Sequence, residues 1–514
     1  MQAGPREYQG TGGGGASIHM AENRNLRKVI FVDACIPLCA SHLPDLAGGV
    51  SLAKCRRQLA FVRCQRLFSG VDSCQQAIVG NFCRGSLAAV SAGVFSGSSA
   101  SAGGGAADER VLSLAVIGCG GMGGNHVGLL SQRKDAQLTW VCDVDAQRLA
   151  AAAKTVEMNS GKAPRTTDDL RRVLDDKSVE AVFIATPDHW HAPAAILALN
   201  AGKHVYVEKP CCHNIREGRL LAEAVRRSGK KLQVGTQSRS TEFVRAGIER
   251  IRRGDIGEIL VAKAWNSQRR GSIGKTAPSD VPAHLNFDAW LGPAVAVPYR
   301  SNLLHGVWRW WYDFGCGDIG NDGVHDIDVA LWGLGVEGHP SRVACLGGKS
   351  VFDDDQQYPD TQYSICEYPV AGNPAGRAKQ LIFEQRIWSP YVQEGYENGA
   401  AFYGTEGLLV MGHTKGWALY GPRNKLIEER TGSMDLPAHH TNFLTAVREP
   451  AVRTNADVDA GRFSATIVHL SNIAARTGAV LQFDAEREVI TNHELANSLV
   501  RRQYREHWSV PAGV

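Results

Sequence analysis

The chain has 514 residues, 44% hydrophobic and 21% charged, a composition ordinary for a globular protein and a length sufficient for two domains and an extension. Its formal charge of +4 is unevenly placed: residues 1–107 hold 10 Lys and Arg against 5 Asp and Glu, and the remainder holds 46 against 47. The body is therefore neutral and carries no basic footprint for nucleic acid, and no apolar run reaches the length of a membrane span.

Residues 1–107 do not read as part of a fold. They carry glycine tracts (Gly12–Gly15, Gly103–Gly105), no sustained hydrophobic period and a basic bias. Asn81-Phe82-Cys83-Arg84-Gly85-Ser86-Leu87-Ala88-Ala89 leads into a weakly apolar stretch ending in Ala100-Ser101-Ala102, a small-residue cleavage signal. This resembles a twin-arginine export leader, except that Val79 and Gly80 stand where the paired arginines belong and Arg56-Arg57 lies well upstream. Two readings follow: an exported, periplasmic protein, or a cytoplasmic one with a disordered extension or a start codon placed too early.

The body opens on its most informative segment. A short apolar strand, Leu114 to Ile117, runs into Gly118, Gly120, Gly121, Met122 and Gly123; an apolar helical segment follows from His126 to Leu130; a second strand, Leu138 to Cys142, ends in Asp143. This is the strand, glycine turn, helix, strand and acid unit of a dinucleotide site, with the acid twenty residues past Gly123. Gly118 permits the tight turn, Gly120 lets backbone amides approach a pyrophosphate, and Gly123 lets the helix pack on the strand. The helix N-terminus favours the negative charge, and Asp143 would hold the ribose hydroxyls. That carboxylate predicts NAD rather than NADP, with Arg148, the nearest cation, lying along the following helix.

Further strands, at Ala181–Ala185, His204–Val207 and Leu232–Gly235, alternate with helical segments at 192–201 and 216–228. The alternation predicts a parallel, doubly wound sheet over 108–236. Ligands bind beyond the carboxyl ends of such strands, which here carry Thr186-Pro187-Asp188-His189-Trp190-His191, Glu208-Lys209-Pro210 and Thr236-Gln237. Thr186, Pro187, His189, His191, Glu208 and Lys209 are thus expected along the cofactor, and Gln237 near the substrate. Two histidines at i, i+2 with no third ligand give no metal site. The seven cysteines of the body form no C-x-x-C pair and read as small buried residues.

With Gly118-x-Gly120-x-x-Gly123, Thr186-Pro187-Asp188-His189-Trp190-His191 and Glu208-Lys209-Pro210, the chain resembles the Gfo/Idh/MocA oxidoreductases. The resemblance continues through Phe287-Asp288-Ala289-Trp290-Leu291-Gly292-Pro293, Trp308-Arg309-Trp310, Gly317 to His325 and Tyr403-Gly404-Thr405-Glu406-Gly407, and covers about 111–510. It implies an α/β protein: an N-terminal Rossmann doubly wound parallel sheet plus a C-terminal α+β domain (237–480) with a large open, mostly antiparallel sheet that forms a dimer or tetramer, and a tail (481–514) packed on the body. Strand-like runs at 259–265, 362–368, 380–387 and 407–411 and helical patterns at 440–448 and 460–477 agree.

The resemblance implies an NAD-dependent oxidoreductase acting on a secondary hydroxyl of a small carbohydrate, sugar, polyol or glycoside, with Lys209 and His325 as the acid/base groups. Asn321 departs from members that carry an aspartate four residues before the histidine; Asp322 or Asp318 is expected to supply that charge instead. Arg309 and Trp310, in a segment dense in aromatics, are assigned to the substrate mouth with Gln237, Asn321 and Asp322. Two alternatives remain at this stage. One is a glycoside hydrolase or lyase that uses NAD for a transient oxidation followed by elimination. The other is a non-catalytic sugar- or nucleotide-sensing protein.

Overall fold

The computed structural model describes residues 110–370, 377–389 and 391–506. The candidate leader lies outside the described residues. The first half alternates strands and helices: β1 (Leu112–Ile117), α1 (Gly121–Leu130), β2 (Ala136–Cys142), α2 (Ala146–Ser160), β3 (Arg165–Thr167), α3 (Leu170–Asp175), β4 (Ala181–Ile184), α4 (Asp188–Asn200), β5 (His204–Val207), α5 (Ile215–Ser228) and β6 (Leu232–Val234). The strands form one parallel sheet in the order β3-β2-β1-β4-β5-β6. Every residue of β4 is buried, as a strand covered on both faces requires. The order reverses between β1 and β4, and the crevice at that switch point is where such sheets bind ligands.

Local chemistry fixes these boundaries. The Asp145 carboxylate caps α2 by accepting from the Gln147 and Arg148 amides, and Gly161, at φ +70°, ends it. Asn214 caps α5 through the Glu217 amide. Two helices begin earlier than their apolar pattern indicates. The glycines 121, 123 and 124 form the first turn of α1, and Asp188 to His191 form the first turn of α4 instead of a loop before it.

The second half contains α6 (Glu242–Arg252), β7 (Ile259–Asn266), α7 (Phe287–Leu291), a π turn over Ile319–Gly323 running straight into α8 (Val324–Leu334), β8 (Arg342–Gly348), β9 (Thr361–Pro369), β10 (Ala378–Arg386), β11 (Asn398–Gly404), β12 (Leu408–Gly412), β13 (Gly416–Gly421), β14 (Lys425–Thr431), α9 (Leu436–Arg448), α10 (Val458–Thr477), β15 (Leu481–Asp484), β16 (Val489–Ile490) and α11 (Glu494–Ser498). Ten strands form one sheet in the order β14-β13-β12-β11-β7-β10-β9-β8-β15-β16. All its pairs are antiparallel except β7 with β10.

One face of this sheet packs Ala262, Phe383 and Phe402 against Ile248 of α6, Ile327 and Leu331 of α8 and Ile467 of α10. The alternation along β9 turns Tyr363 and Ile365 outward, and Leu260 and Leu346 are also exposed. No helix among the described residues is long and apolar enough to cross a membrane.

The chain after residue 237 serves both cores. α9 returns to the first half and buries Phe443 and Leu444 among Leu112, Phe183 and Tyr206, while Val458 and Ala465 of α10 join the cluster around Val182, Val205 and Leu221. The Phe443 ring meets Phe183 edge-on at 5.5 Å. Phe443→Ala is expected to cost about 3–5 kcal/mol, as deletion of a buried aromatic does. Because the residue joins the two halves, chemical denaturation should show the loss in the transition of the nucleotide-binding half; an unchanged midpoint would contradict this packing.

Candidate active site

A cavity of about 890 Å³ opens at the carboxyl ends of β1, β2, β4 and β5, where the second half covers them. Its wall begins at Gly118, Gly120, Gly121, Met122 and Asp143, passes Thr186, Pro187, His191 and Glu208, and ends at Lys209, Gln237, Arg309, Asn321, Asp322 and His325. Residues expected from the sequence to serve cofactor and substrate are thus gathered in one space. Gly118 stands at φ +86°, a backbone that glycine adopts without strain.

Three expected residues are elsewhere. A Cβ on Gly123 would lie 1.8 Å from the Gly118 carbonyl oxygen, so this glycine packs α1 onto the turn and does not line the cavity. His189 is fully buried: its Nε2 donates to the Trp290 carbonyl at 2.8 Å, and Nδ1 lies 3.4 Å from that of Phe314. Burial, with the Arg502 charge adding, pushes its imidazole down to about 3, so it is a neutral brace between the halves. Trp310 lines an adjoining cavity instead of this one. Arg148 also departs from expectation. Its guanidinium folds back over the glycine turn, where a Cβ on Gly120 would lie 1.9 Å from it, and it lines the cavity.

At the glycine end, the Asp143 carboxylate accepts from the Cys119 amide at 2.6 Å and the Asp145 amide at 2.9 Å. Burial pushes this carboxyl up, against those two bonds and the Arg148 charge. At the middle, Glu208 accepts from His126 Nε2 at 2.9 Å, and His126 Nδ1 lies 2.9 Å from His440 Nε2. Burial would raise the Glu208 carboxyl, but the His126 bond and the nearby Lys209 and His191 charges hold it below its ordinary value. Burial pushes His440 down to about 2. Nothing in the local sequence announces this chain, because its members lie 82 and 314 residues apart.

At the far end, the Lys209 ammonium donates to the Asn321 carbonyl at 2.5 Å. The Asn321 side chain accepts from Arg309 Nε at 2.6 Å and donates to Asp318 at 3.0 Å. The expected compensation for the missing aspartate does not form. Asp318 is held by Asn266, Arg270 and Asn321, Asp322 pairs with Arg270, and among the described residues none of the three hydrogen-bonds His325. The π turn carries these side chains toward Arg270 and Arg309. His325 is left neutral: burial, then the charges of Lys209 and His413, push its imidazole well below 6.5. Its Nδ1 has no partner, and neither do the buried Thr186 Oγ1 and Gln237 Oε1. A cavity wall with three unpaired buried polar atoms is a wall made for a ligand.

His413, not singled out in the sequence, also lines the cavity, with its ring 5.1 Å from that of His325. Its Nδ1 lies 3.1 Å from Asp326 Oδ1. Burial pulls this imidazole down, but the Asp326 bond and the Asp322 charge win and raise it above 6.5. A raised folded value means that the pair stabilises fully below the unfolded value and progressively less as pH rises through the folded one. Asp326→Asn removes the larger of the two effects that oppose burial and leaves only the Asp322 charge. The melting-temperature gap between wild type and variant should therefore be widest below the ordinary imidazole value of about 6.5 and narrow as pH rises above it; a gap that widens would reverse the assignment.

The residues present fit a dinucleotide: the glycine turn leaves open space above Gly121, α1 presents its N-terminus there, and Asp143 stands at the end of β2. Residues 112–236 match the sequence profile described as the oxidoreductase family, NAD-binding Rossmann fold, and 261–361 with 424–510 match that of the same family's C-terminal alpha/beta domain. Inositol 2-dehydrogenase of Rubrobacter xylanophilus is 34% identical over 309 residues, 59% of this chain and 72% of that protein. Inositol 2-dehydrogenase 2 of Saccharopolyspora erythraea is 31% identical over 44% of this chain, a match spanning 55% of that protein's length. The WlbA dehydrogenase of Bordetella pertussis, solved with NADH and UDP-GlcNAcA, shares the fold at a TM-score of 0.54 and 20% identity, covering 73% of this chain and 99% of that one. With both of its domains matched in order, and the Rossmann half built around an NAD-type glycine turn, the chain belongs to the Gfo/Idh/MocA family of NAD-dependent oxidoreductases.

Proposed function

We propose that this oxidoreductase removes hydride from a secondary hydroxyl carbon of a sugar, polyol or glycoside, with Lys209 and His325 acting on the hydroxyl. One observation carries the reading: both side chains stand at the end of the same cavity whose opposite end is the glycine turn and Asp143. The inositol dehydrogenases among its relatives support a polyhydroxylated ring as substrate. The exposed apolar residues on the open sheet face suit the homo-oligomer that the sequence resemblance implies.

Bound NAD⁺ supplies the hydride acceptor. Gly118, Gly120 and Gly121 would lie along its pyrophosphate, and Asp143 would hold the adenosine ribose. Lys209 has three N–H donors and spends one on the Asn321 carbonyl, so it can donate to the substrate oxygen as negative charge builds there. His325 is neutral and accepts the hydroxyl proton. Gln237 and Arg309 would fix the neighbouring hydroxyls, which keeps one ring carbon facing the cofactor.

Lys209→Ala and His325→Ala should each lower turnover by about 10²–10⁴-fold, the usual range for one positioned acid/base group. Calorimetric NAD affinity should stay nearly constant, because neither group faces the adenosine or pyrophosphate. Lys209→Ala should be the more damaging, since the ammonium also stabilises the reacting oxygen. Near-normal NADH formation by Lys209→Ala on the true substrate would remove this mechanism. NAD should bind more tightly than NADP, because Asp143 would face the extra phosphate with like charge. Asp143→Ser should narrow the difference and leave Arg148 free to meet that phosphate; equal affinities in the wild type would contradict this.

A further inference from the structure

A second cavity, of about 870 Å³, adjoins the first and shares Gly306, Arg309, Asn321, Asp322 and His413 with it. Each is large enough for a ligand of its own, since such pockets span about 300–1,000 Å³. Every residue lining the second comes from the chain after Gln237, so the nucleotide-binding half takes no part in it. The first cavity already runs the whole way from the glycine turn to His325, and the cofactor needs nothing beyond it.

The wall chemistry narrows the occupant. Trp310 and Tyr396 supply aromatic surface. Trp310 and Asn398 are more than nine-tenths buried, and the Trp310 Nε1 donor and Asn398 Oδ1 acceptor have no partner. Arg270 is paired with Asp318 and Asp322, the exposed rim carries Lys415 together with Glu397, and Arg309 donates to the Asn321 side chain and the Gly306 carbonyl. A wall with aromatic faces, hydrogen-bonding side chains and unspent donors and acceptors suits a hydroxyl-rich ring.

We propose that the second cavity is a subsite for a second ring, so that the substrate is a two-ring glycoside. The ring being oxidised sits at Lys209 and His325, and the other sits against Trp310 and Tyr396. This rests on the reading of the first cavity as the site of sugar oxidation.

The test titrates the NAD-loaded protein by calorimetry with a panel of disaccharides and the methyl glycosides of their component sugars, and follows NADH formation with the same compounds. At least one disaccharide should bind about tenfold or more tightly than its methyl glycoside, as lost pocket contacts of this size imply. Tyr396→Ala should abolish that advantage and leave methyl glycoside binding and turnover unchanged. Thr414→Trp, which places a bulky ring on an exposed position lining only the second cavity, should do the same without touching the core. Equal affinity for both compound sets, or equal weakening of both sets by the two variants, would overturn the subsite. Disaccharide binding that is sensitive to Tyr396→Ala but yields no NADH would keep the subsite and overturn the oxidation reading. Binding of neither set would overturn both.

Discussion

The closeness of α1 to the turn that follows β1 is the constraint on which the site depends. A Cβ at Gly123 would fall on the Gly118 carbonyl, and one at Gly118 would fall 2.7 Å from the backbone of Ala185 at the end of β4. These contacts bring the end of β1, the end of β4 and the first turn of α1 together, and they leave open space at Gly121, where α1 begins. A side chain at either position would push the helix away from the sheet and close the space where a pyrophosphate would lie.

The substrate end depends on a different device, polar groups satisfied across the junction of the two halves. Lys209, after β5, donates to a carbonyl in the π turn, and His189 in α4 donates to the carbonyl of Trp290 in α7. Arg309 holds Asn321 and lies over the Trp308 ring at 4.4 Å. Buried donors and acceptors are costly when unpaired, so these bonds fix how the second half seats on the strand ends. Along the first cavity, buried atoms of Thr186, Gln237 and His325 are left unpaired.

The parallel sheet was legible because its signals are local. A glycine turn between two strands, an acid after the second, and strands spaced by helical segments all lie within short stretches of chain. The strands of the open sheet that contain glycine, such as β11 and β13, and the short strands of either sheet, such as β3 and β16, lack a hydrophobic period and were not legible. Most residues at the strand ends were found from position alone. What escaped was set by tertiary contact: Arg148 turning back over Gly120, His189 turning away into the junction, and His413 arriving from the loop between β12 and β13. Likewise Asn321 could be seen as a departure, but only the π turn shows that Asp318 and Asp322 are already taken by Arg270.

That last arrangement decides how charge is shared around the reacting oxygen. A carboxylate beside His325 would favour its protonated form and give a charged pair at the substrate. Here the carboxylates answer to Arg270 and His413, while His325 faces Lys209 and His413 in a buried setting and stays neutral. In the proposed reaction the site would offer the substrate hydroxyl one charged donor and one neutral acceptor. The donor would meet the negative charge left on oxygen as the acceptor takes the proton. Because Asp322 is matched to Arg270, the two face the second cavity as a pair instead of as single charges.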